Sequence, residues 1–162
     1  MRRLALFALV LLAACNPSTF APTLVALSVG DIKASEQWYM GNAGFALKWE
    51  RELAESRIAL LERDGFQLEI VQLERSVPPA QLVPGTNPAR IRGFGKLAFR
   101  VDDADRVAAR LHANGVTFQL EPRDDPSEQT RSFIVLDNEG NWIQFIGPMP
   151  APAVPDAARM SL

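Results

Sequence analysis

Apolar and polar positions between residues 23 and 73 alternate with the period of a β-strand, and one helical stretch interrupts the alternation. Val25, Leu27 and Val29 alternate with smaller or polar residues, which predicts a first strand. Asp31 follows as a candidate helix N-cap, and residues 42–44 carry the stop signal of that helix. Three more strands are predicted at 45–50, 57–62 and 66–73, with a turn at 63–65. The segment predicts a βαβββ unit.

The same order of elements recurs between residues 96 and 147, and the amino acids themselves repeat. LVALSVGD at 24–31 is echoed by KLAFRVDD at 96–103, and DGFQLEI at 64–70 by EGNWIQF at 139–145. The second unit predicts a strand at 96–101, a helix that starts after Asp103 and ends at 114–115, and strands at 116–120, 132–136 and 141–146. Residues 121–131 are predicted as a polar loop. Such self-similarity indicates a duplicated unit.

We therefore expect an α+β fold in which two βαβββ modules form a concave mixed sheet. The domain spans residues 23–147, with modules at 23–73 and 96–147. The proline- and glycine-rich linker 74–95 is expected to be an extended connection. Residues 148–162, with several prolines and no pattern, are expected to be a mobile tail.

Strand alternation assigns two chemically different faces to each predicted sheet. One face is almost uniformly apolar, as a face covered by a helix must be. Its members are Val25, Leu27, Val29, Leu68, Ile70, Leu97, Phe99, Val101, Ile143 and Phe145. The opposite, concave face carries small residues and longer polar or aromatic side chains. The candidate ligand-binding residues on it are Gln67, Glu69, Lys96, Arg100, Trp142 and Gln144.

The first residues are typical of an export signal rather than of the domain. Arg2 and Arg3 precede a short apolar run, and small residues lead to Cys15. We expect residues 1–14 to be a lipoprotein signal peptide, Cys15 to be acylated, and residues 15–22 to be a tether. Cys15 is the only cysteine, so no intramolecular disulfide is possible, and acylation accounts for a solitary thiol. A plain signal peptide with an incidental cysteine is the alternative.

Composition narrows the functional classes. The apolar fraction of 48% and charged fraction of 22% are typical of a globular protein. The net charge of −2 and the scattered basic residues exclude a nucleic-acid footprint. If Cys15 is lipidated, the protein is expected in the bacterial cell envelope, facing the periplasm. Residues 12–15, LAAC, resemble a bacterial lipobox. Because position 16 is Asn and not the Asp associated with inner-membrane retention, this resemblance favours the outer membrane.

The landmarks VGDI at 29–32, GKLAFRVD at 95–102 and LDNEGNW at 136–142, in this order and duplicated, resemble the vicinal oxygen chelate superfamily. This superfamily includes glyoxalase I, bleomycin-resistance proteins and extradiol dioxygenases. The resemblance covers about residues 23–147 and implies two βαβββ modules around a cup, with a homodimer possible. In metal-using members the ligands come from the first and last strands of each module, and the matching positions here are Leu24, Glu69, Lys96 and Gln144.

These four positions make a poor set of metal ligands. Leucine has no lone pair, a lysine ammonium has no acceptor, and only Glu69 is a good ligand. We therefore expect no catalytic metal and no other cofactor. The single histidine, His112, is expected on the outer side of the sheet and not in the site.

Lys96 is expected to replace the metal, pairing with Glu69 and hydrogen-bonding Gln144 beside the ring of Trp142. The cup would then hold a small, partly anionic ligand. A purely structural ion pair in a disused cavity is the equal alternative. Arg90 and Arg92 are placed to reach over the cup from the linker, although surface arginines are the simpler interpretation.

Three functions follow from this arrangement. The first is a lipid-anchored protein that binds a small molecule without catalysis. The second is a glyoxalase- or dioxygenase-type lyase or isomerase with an atypical site, in which Glu69 is the only candidate base. The third is an envelope protein-interaction module.

Overall fold

The computed structural model describes residues 24–85 and 92–151. The predicted signal peptide, the tether with Cys15, Arg90 in the linker and the tail beyond residue 151 lie outside the described residues. Among those described, no helix is long and apolar enough to cross a membrane.

The first module contains one helix and four strands: β1 (Leu24–Val29), α1 (Ile32–Ala43), β2 (Ala46–Glu52), β3 (Ser56–Arg63) and β4 (Phe66–Leu73). The sheet order is β1-β4-β3-β2, with β1 parallel to β4 and the other pairs antiparallel. Asp31 caps α1 by accepting hydrogen bonds from the backbone N–H groups of Lys33 and Ala34. Gly44 ends the helix at φ 73°, a left-handed conformation that favours glycine.

The second module repeats this arrangement with β5 (Leu97–Arg100), α3 (Ala104–Ala113), β6 (Phe118–Asp125), β7 (Thr130–Leu136) and β8 (Trp142–Pro148). Its sheet order is β5-β8-β7-β6, with β5 parallel to β8. Asp103 caps α3 through the N–H of Arg106. The predicted α+β class and the two βαβββ modules are confirmed, and their strands form two four-stranded mixed sheets.

Two local predictions were wrong. The expected loop at 121–131 is mostly a hairpin, because β6 continues to Asp125 and β7 begins at Thr130. Its residues are largely exposed, so no alternation of apolar side chains signals the strands. The linker is not simply extended, because Pro79–Leu82 forms one short helix, α2. A proline at the first helical position favours such a turn.

Burial follows the predicted face assignment. Val29, Leu68, Ile70, Ile143 and Phe145 are each at most 2% exposed, whereas the residues between them along the strands are more exposed. Both helices cover these apolar faces, and their buried side chains join a single core cluster drawn from both modules. The helix-side faces therefore form one interior.

Aromatic rings connect the two halves of this interior. Phe99 of β5 lies 5.8 Å from Phe45 and 6.1 Å from Phe66, ring centre to ring centre, both edge-on. On its other side Phe99 contacts Phe145 at 5.8 Å. Edge-to-face pairs at these distances add stabilisation beyond the area they bury. The ring contacts couple the packing of one module to that of the other.

A buried polar network also joins the modules. The Tyr39 hydroxyl of α1 donates to Asp137 Oδ2 at 2.8 Å, and both residues are buried. Asp137 also accepts from the backbone N–H groups of Glu139 and Asn141 and from the Asn141 amide. Burial, together with the adjacent carboxylate, raises the pKa of Tyr39 far above its usual range, so its hydroxyl remains a donor. Asp137 thus fixes the turn before β8 against α1.

Candidate functional site

The six candidate residues do not form one cluster. Gln67 and Glu69 lie on β4, in the first sheet, where Glu69 is in register with Ala26 and Leu60. The other four belong to the second module. No strand pairing joins the two sheets within the described residues. The concave faces of the two modules therefore belong to separate sheets.

The expected contacts of Lys96 were wrong. No ion pair joins Lys96 to Glu69 among the described residues. The side-chain hydrogen bond of Gln144 runs from its Nε2 to Ser132 Oγ at 3.2 Å, and within the described chain none joins Gln144 to Lys96. Lys96 stands one residue before β5, whereas Glu69 is in the other sheet. Gln144 pairs in register with Ala98, two residues further along β5. The geometry of the strands, not the chemistry of the side chains, separates these groups.

Lys96 and Trp142 are the two candidates that share a cavity. We name it the seam cavity, because it lies between β1 of the first module and the starts of β5 and β8 of the second. Its volume is about 240 Å³. It is lined by Leu27, Pro79, Arg92, Gly93, Phe94, Gly95, Lys96, Leu97, Gly140, Asn141, Trp142 and Ile143. The linker thus forms one wall of a cavity whose other walls come from both modules.

The seam cavity has a mostly apolar lining and positively charged side chains at its rim. Two aromatic rings, Trp142 and the 75% exposed Phe94, stand among aliphatic side chains. Of the described residues that line it, only Lys96 and Arg92 are charged, and none of them carries a carboxylate. An aromatic or aliphatic body would be buried against the rings, and an anionic group would lie near the two cations. Sequence reasoning named Lys96, Trp142 and Arg92 but missed Phe94, since a lone aromatic in a linker gives no periodic signal.

The residues at the family's metal-ligand positions do not fit a divalent cation. Leu24 has no atom with a lone pair, the Lys96 ammonium has no lone pair to offer, and Gln144 offers only a weakly ligating carbonyl oxygen, which leaves Glu69 as the one good ligand. The described residues contain no group of three His, Cys, Asp or Glu side chains that could hold a metal ion. That the protein works without a metal stays a prediction.

Two further residues named from the sequence lie elsewhere. His112, on α3, is exposed, with Nε2 at 3.1 Å from Glu121 Oε2 and its ring stacked on Phe118 at 3.8 Å. Arg100 lies at the opposite end of β5 from Lys96 and lines a different groove. Neither side chain lines the seam cavity.

The fold is thus a pair of βαβββ modules with one shared interior and a cavity of about 240 Å³ between them. These features define a class of two-module α+β proteins. The family model of the Glyoxalase/Bleomycin resistance protein/Dioxygenase superfamily matches residues 22–145. The chain belongs to this superfamily, as the sequence landmarks predicted.

Individual relatives agree with this membership. The uncharacterized protein YraH of Bacillus subtilis (strain 168) is 26% identical over 125 residues, covering 75% of this chain and 93% of that protein. A glyoxalase family protein from Enterococcus faecalis superposes with a TM-score of 0.66 at 20% identity, covering 78% and 96% of the two chains. TnmS3, an antibiotic binding protein from Streptomyces sp. CB03234, gives 0.61 at 24% identity, covering 81% and 98%. At these identities the solved structures establish the fold alone.

Proposed function

We propose that this protein is a lipid-anchored binding protein that takes a small, partly anionic molecule into the seam cavity without a catalytic metal. The observation that carries the proposal is the lining of that cavity. Trp142 and Phe94 offer apolar surface, Lys96 and Arg92 supply positive charge, and the described part of the lining holds no acidic side chain that would oppose an anion. Small-molecule sites are commonly apolar pockets with a few well-placed polar groups. A protein of similar fold, TnmS3, is an antibiotic binding protein, so the fold is compatible with such a role.

The size of the cavity restricts the ligand. A volume of about 240 Å³ is below the roughly 300–1,000 Å³ of pockets that enclose drug-sized molecules. A single aromatic or branched aliphatic group therefore fits inside, while its anionic group remains at the rim. At the rim Lys96 provides a compact charge and Arg92 a planar fork that matches a carboxylate. Both act on the same end of the ligand.

Benzoate and its neutral isostere benzamide test this arrangement by calorimetric titration of the full chain. We expect benzoate to bind and benzamide to bind at least tenfold more weakly, because only benzoate carries the charge that Lys96 and Arg92 attract. Lys96→Met should weaken benzoate binding by about tenfold. Lys48→Met is the matched control, because Lys48 pairs with Glu62 outside the cavity. Equal binding of benzoate and benzamide, or equal effects of the two lysine variants, contradicts the proposed role of the rim.

Catalysis by this chain would need groups that the site does not bring together. Glu69, the one candidate base, does not line the seam cavity, and no ion pair or hydrogen bond joins it to Lys96. Elemental analysis of protein purified from its own source tests the metal-free assignment. Stoichiometric nickel, zinc, iron or manganese would overturn it and favour the alternative function, a glyoxalase- or dioxygenase-type enzyme.

The anchor is proposed from the sequence of the first fifteen residues. Acylation of Cys15 would place the domain in the cell envelope, joined to the membrane by the tether 15–22. Mass spectrometry of the mature N-terminal peptide tests it directly, since the acylated cysteine adds the mass of its lipid. Cys15→Ser should move the protein from the membrane fraction to the soluble fraction. An unmodified Cys15 in membrane-fraction protein contradicts the anchor.

A homodimer is proposed on the separation of the two sheets. In the described chain, β1 and β5 are edge strands of different sheets, and no strand pairing joins the two sheets. A second copy could bring a first-module sheet beside a second-module sheet and so complete each cup. Sedimentation equilibrium of the full chain tests this, and a monomer at tens of micromolar would contradict it.

A further inference from the structure

The two modules differ at the turn that leads from the first strand into the helix. In the first module, the chain turns from β1 into α1 at Gly30 and Asp31, where the side chain of Glu139 reaches in from the second module. Glu139 Oε1 accepts from the Gly30 N–H at 2.9 Å and from the Asp31 N–H at 3.3 Å. A carboxylate therefore sits at the start of α1, where exposed N–H groups and the helix dipole favour negative charge. This position is filled from within the chain.

The equivalent position of the second module is an open groove. By the sequence repeat, Asp102 and Asp103 correspond to Gly30 and Asp31, and Asp64 corresponds to Glu139. Asp64 is one methylene shorter than glutamate and lies against its own neighbour, with Oδ2 at 3.3 Å from Arg63 Nε. The space between the modules here has a volume of about 640 Å³. We name it the arginine groove; it is lined by Gly44, Arg63, Asp64, Arg100, Val101, Asp102, Asp103, Arg106, Val107, Arg110 and Phe145.

The arginines of this groove differ in what they already bind. Arg63 donates to the Ala43 carbonyl, and Arg110 donates to the Asn42 carbonyl at 3.0 Å, so both hold the end of α1. Arg100 and Arg106 form no ion pair with any described residue. Two guanidinium groups are thus available at the position where the other module binds a carboxylate.

The acidic residues of the groove do not bar an anion. Asp103 Oδ1 is engaged as the cap of α3, and Asp64 is paired with Arg63. The side chain of Asp102 replaces a glycine, yet a Cβ built at Gly30 lies 3.6 Å from Glu139 Oε1, an ordinary contact. A Cβ at this position is therefore sterically compatible with a carboxylate beside it. Nor do the three aspartates form a metal site among the described residues.

We propose that the arginine groove is a second ligand site, which binds a small free carboxylate between Arg100 and Arg106 at the start of α3. The ligand carboxylate takes the place that Glu139 takes in the first module. Guanidinium groups bind carboxylates through two parallel hydrogen bonds, which gives both affinity and orientation. Val107 and Phe145 supply an apolar floor for a short aliphatic chain. The site is separate from the seam cavity, and no lining residue is shared.

Succinate, with succinamide as its neutral isostere, is the probe for this site, titrated into the full chain at constant ionic strength. Saturable binding of succinate is expected, with Arg100→Gln and Arg106→Gln each weakening it by roughly tenfold or more. Arg57→Gln is the matched control and should leave binding unchanged, because Arg57 pairs with Glu52 away from the groove. Equal binding of succinamide would show that the carboxylate charge is not recognised, and equal weakening by all three variants would show non-specific anion binding only. Either result would overturn the site.

Asp64→Glu gives a second, independent readout. The longer side chain can reach the start of α3 as Glu139 reaches the start of α1, so it should compete with succinate and raise the succinate dissociation constant about tenfold. Benzoate binding in the seam cavity should stay unchanged in this variant. Unaltered succinate binding in Asp64→Glu, with a folded protein by circular dichroism, contradicts the placement of the carboxylate at α3. Failure of benzoate binding alone bears on the seam cavity and not on this groove.

Discussion

Replacing Tyr39 by phenylalanine removes one hydrogen bond from the buried junction between the modules. The Tyr39 hydroxyl donates to Asp137 Oδ2 at 2.8 Å, and Asp137 is only 6% exposed. Hydrogen bonds to charged groups contribute about 1.5–3 kcal/mol to stability. Oδ2 keeps its bond from the Asn141 amide at 2.9 Å, so the carboxylate is not left bare. We therefore expect Tyr39→Phe to lower the free energy of unfolding by about 2 kcal/mol at neutral pH.

Tyr39 also makes the stability of the fold depend on pH, and the stability should fall in alkaline solution. Burial raises the pKa of Tyr39 in the folded state above its ordinary value of 10.0. The resulting stabilisation is fully present below that ordinary value, and it is lost as pH rises further, because the unfolded phenol then ionises and the folded one does not. One proton contributes a slope of at most about 1.4 kcal/mol per pH unit. The stability difference between the native protein and Tyr39→Phe should therefore shrink in alkaline solution.

The assay is simple because Tyr39 is the only tyrosine in the chain. Phenolate absorbance should stay absent in alkaline solution until the protein unfolds, and then should appear together with the loss of near-ultraviolet circular dichroism. Urea unfolding of the two proteins at several pH values gives the stability difference. The double variant with Asp137→Asn should lose less than the sum of the two single losses. Phenolate that forms in the folded protein near pH 10.0, the ordinary tyrosine pKa, would refute the reasoning.

Substitutions at three other positions, and one change of pH, should affect stability in stated directions. Gly147→Ala should cost about 1–3 kcal/mol, because the new Cβ lies 3.1 Å from the first backbone nitrogen of α3. Gly41→Ala, with nothing within 4 Å, should instead add about 0.5–1 kcal/mol to the helix, and chemical denaturation compares the two. Glu139→Ala should cost about 0.5–2 kcal/mol, because it leaves the Gly30 and Asp31 N–H groups before α1 without their acceptor, while Glu139→Gln, which keeps an acceptor, should cost less. The hydrogen bond from Ser127 lowers the pKa of Asp125, so protection of the β6–β7 turn from amide exchange should persist above the usual carboxyl pKa and be lost as pH falls through the depressed value.

The fold was predictable because each sheet has one face covered by a helix. That covering makes alternation strict in β1, β4, β5 and β8, and the repeat then supplies the topology twice. The hairpin between Asp125 and Thr130 was not predictable from the same rule, since its exposed strands require no apolar face.

The site was only partly predictable, because sequence alternation fixes the face of a residue and not the distance between sheets. Trp142 and Lys96 were placed together, since both lie where β8 and β5 begin. Glu69 was expected beside them, but it belongs to the other sheet. The contacts between Tyr39 and Asp137, 98 positions apart in sequence, leave no local pattern from which they could be read.

The ring contacts that Phe99 makes with Phe45, Phe66 and Phe145 affect how the duplicated halves depend on each other. One half alone would expose the aromatic surface that now lies between the halves, so it could bury that surface only by associating with a second half. Fusion in one chain makes this association intramolecular, at an effective concentration that reaches the millimolar range for short flexible linkers. The halves should accordingly unfold in one cooperative transition. As long as the protein is monomeric, the midpoint of that transition should not depend on protein concentration. The repeat marks a boundary in the sequence, but thermodynamically the domain is indivisible.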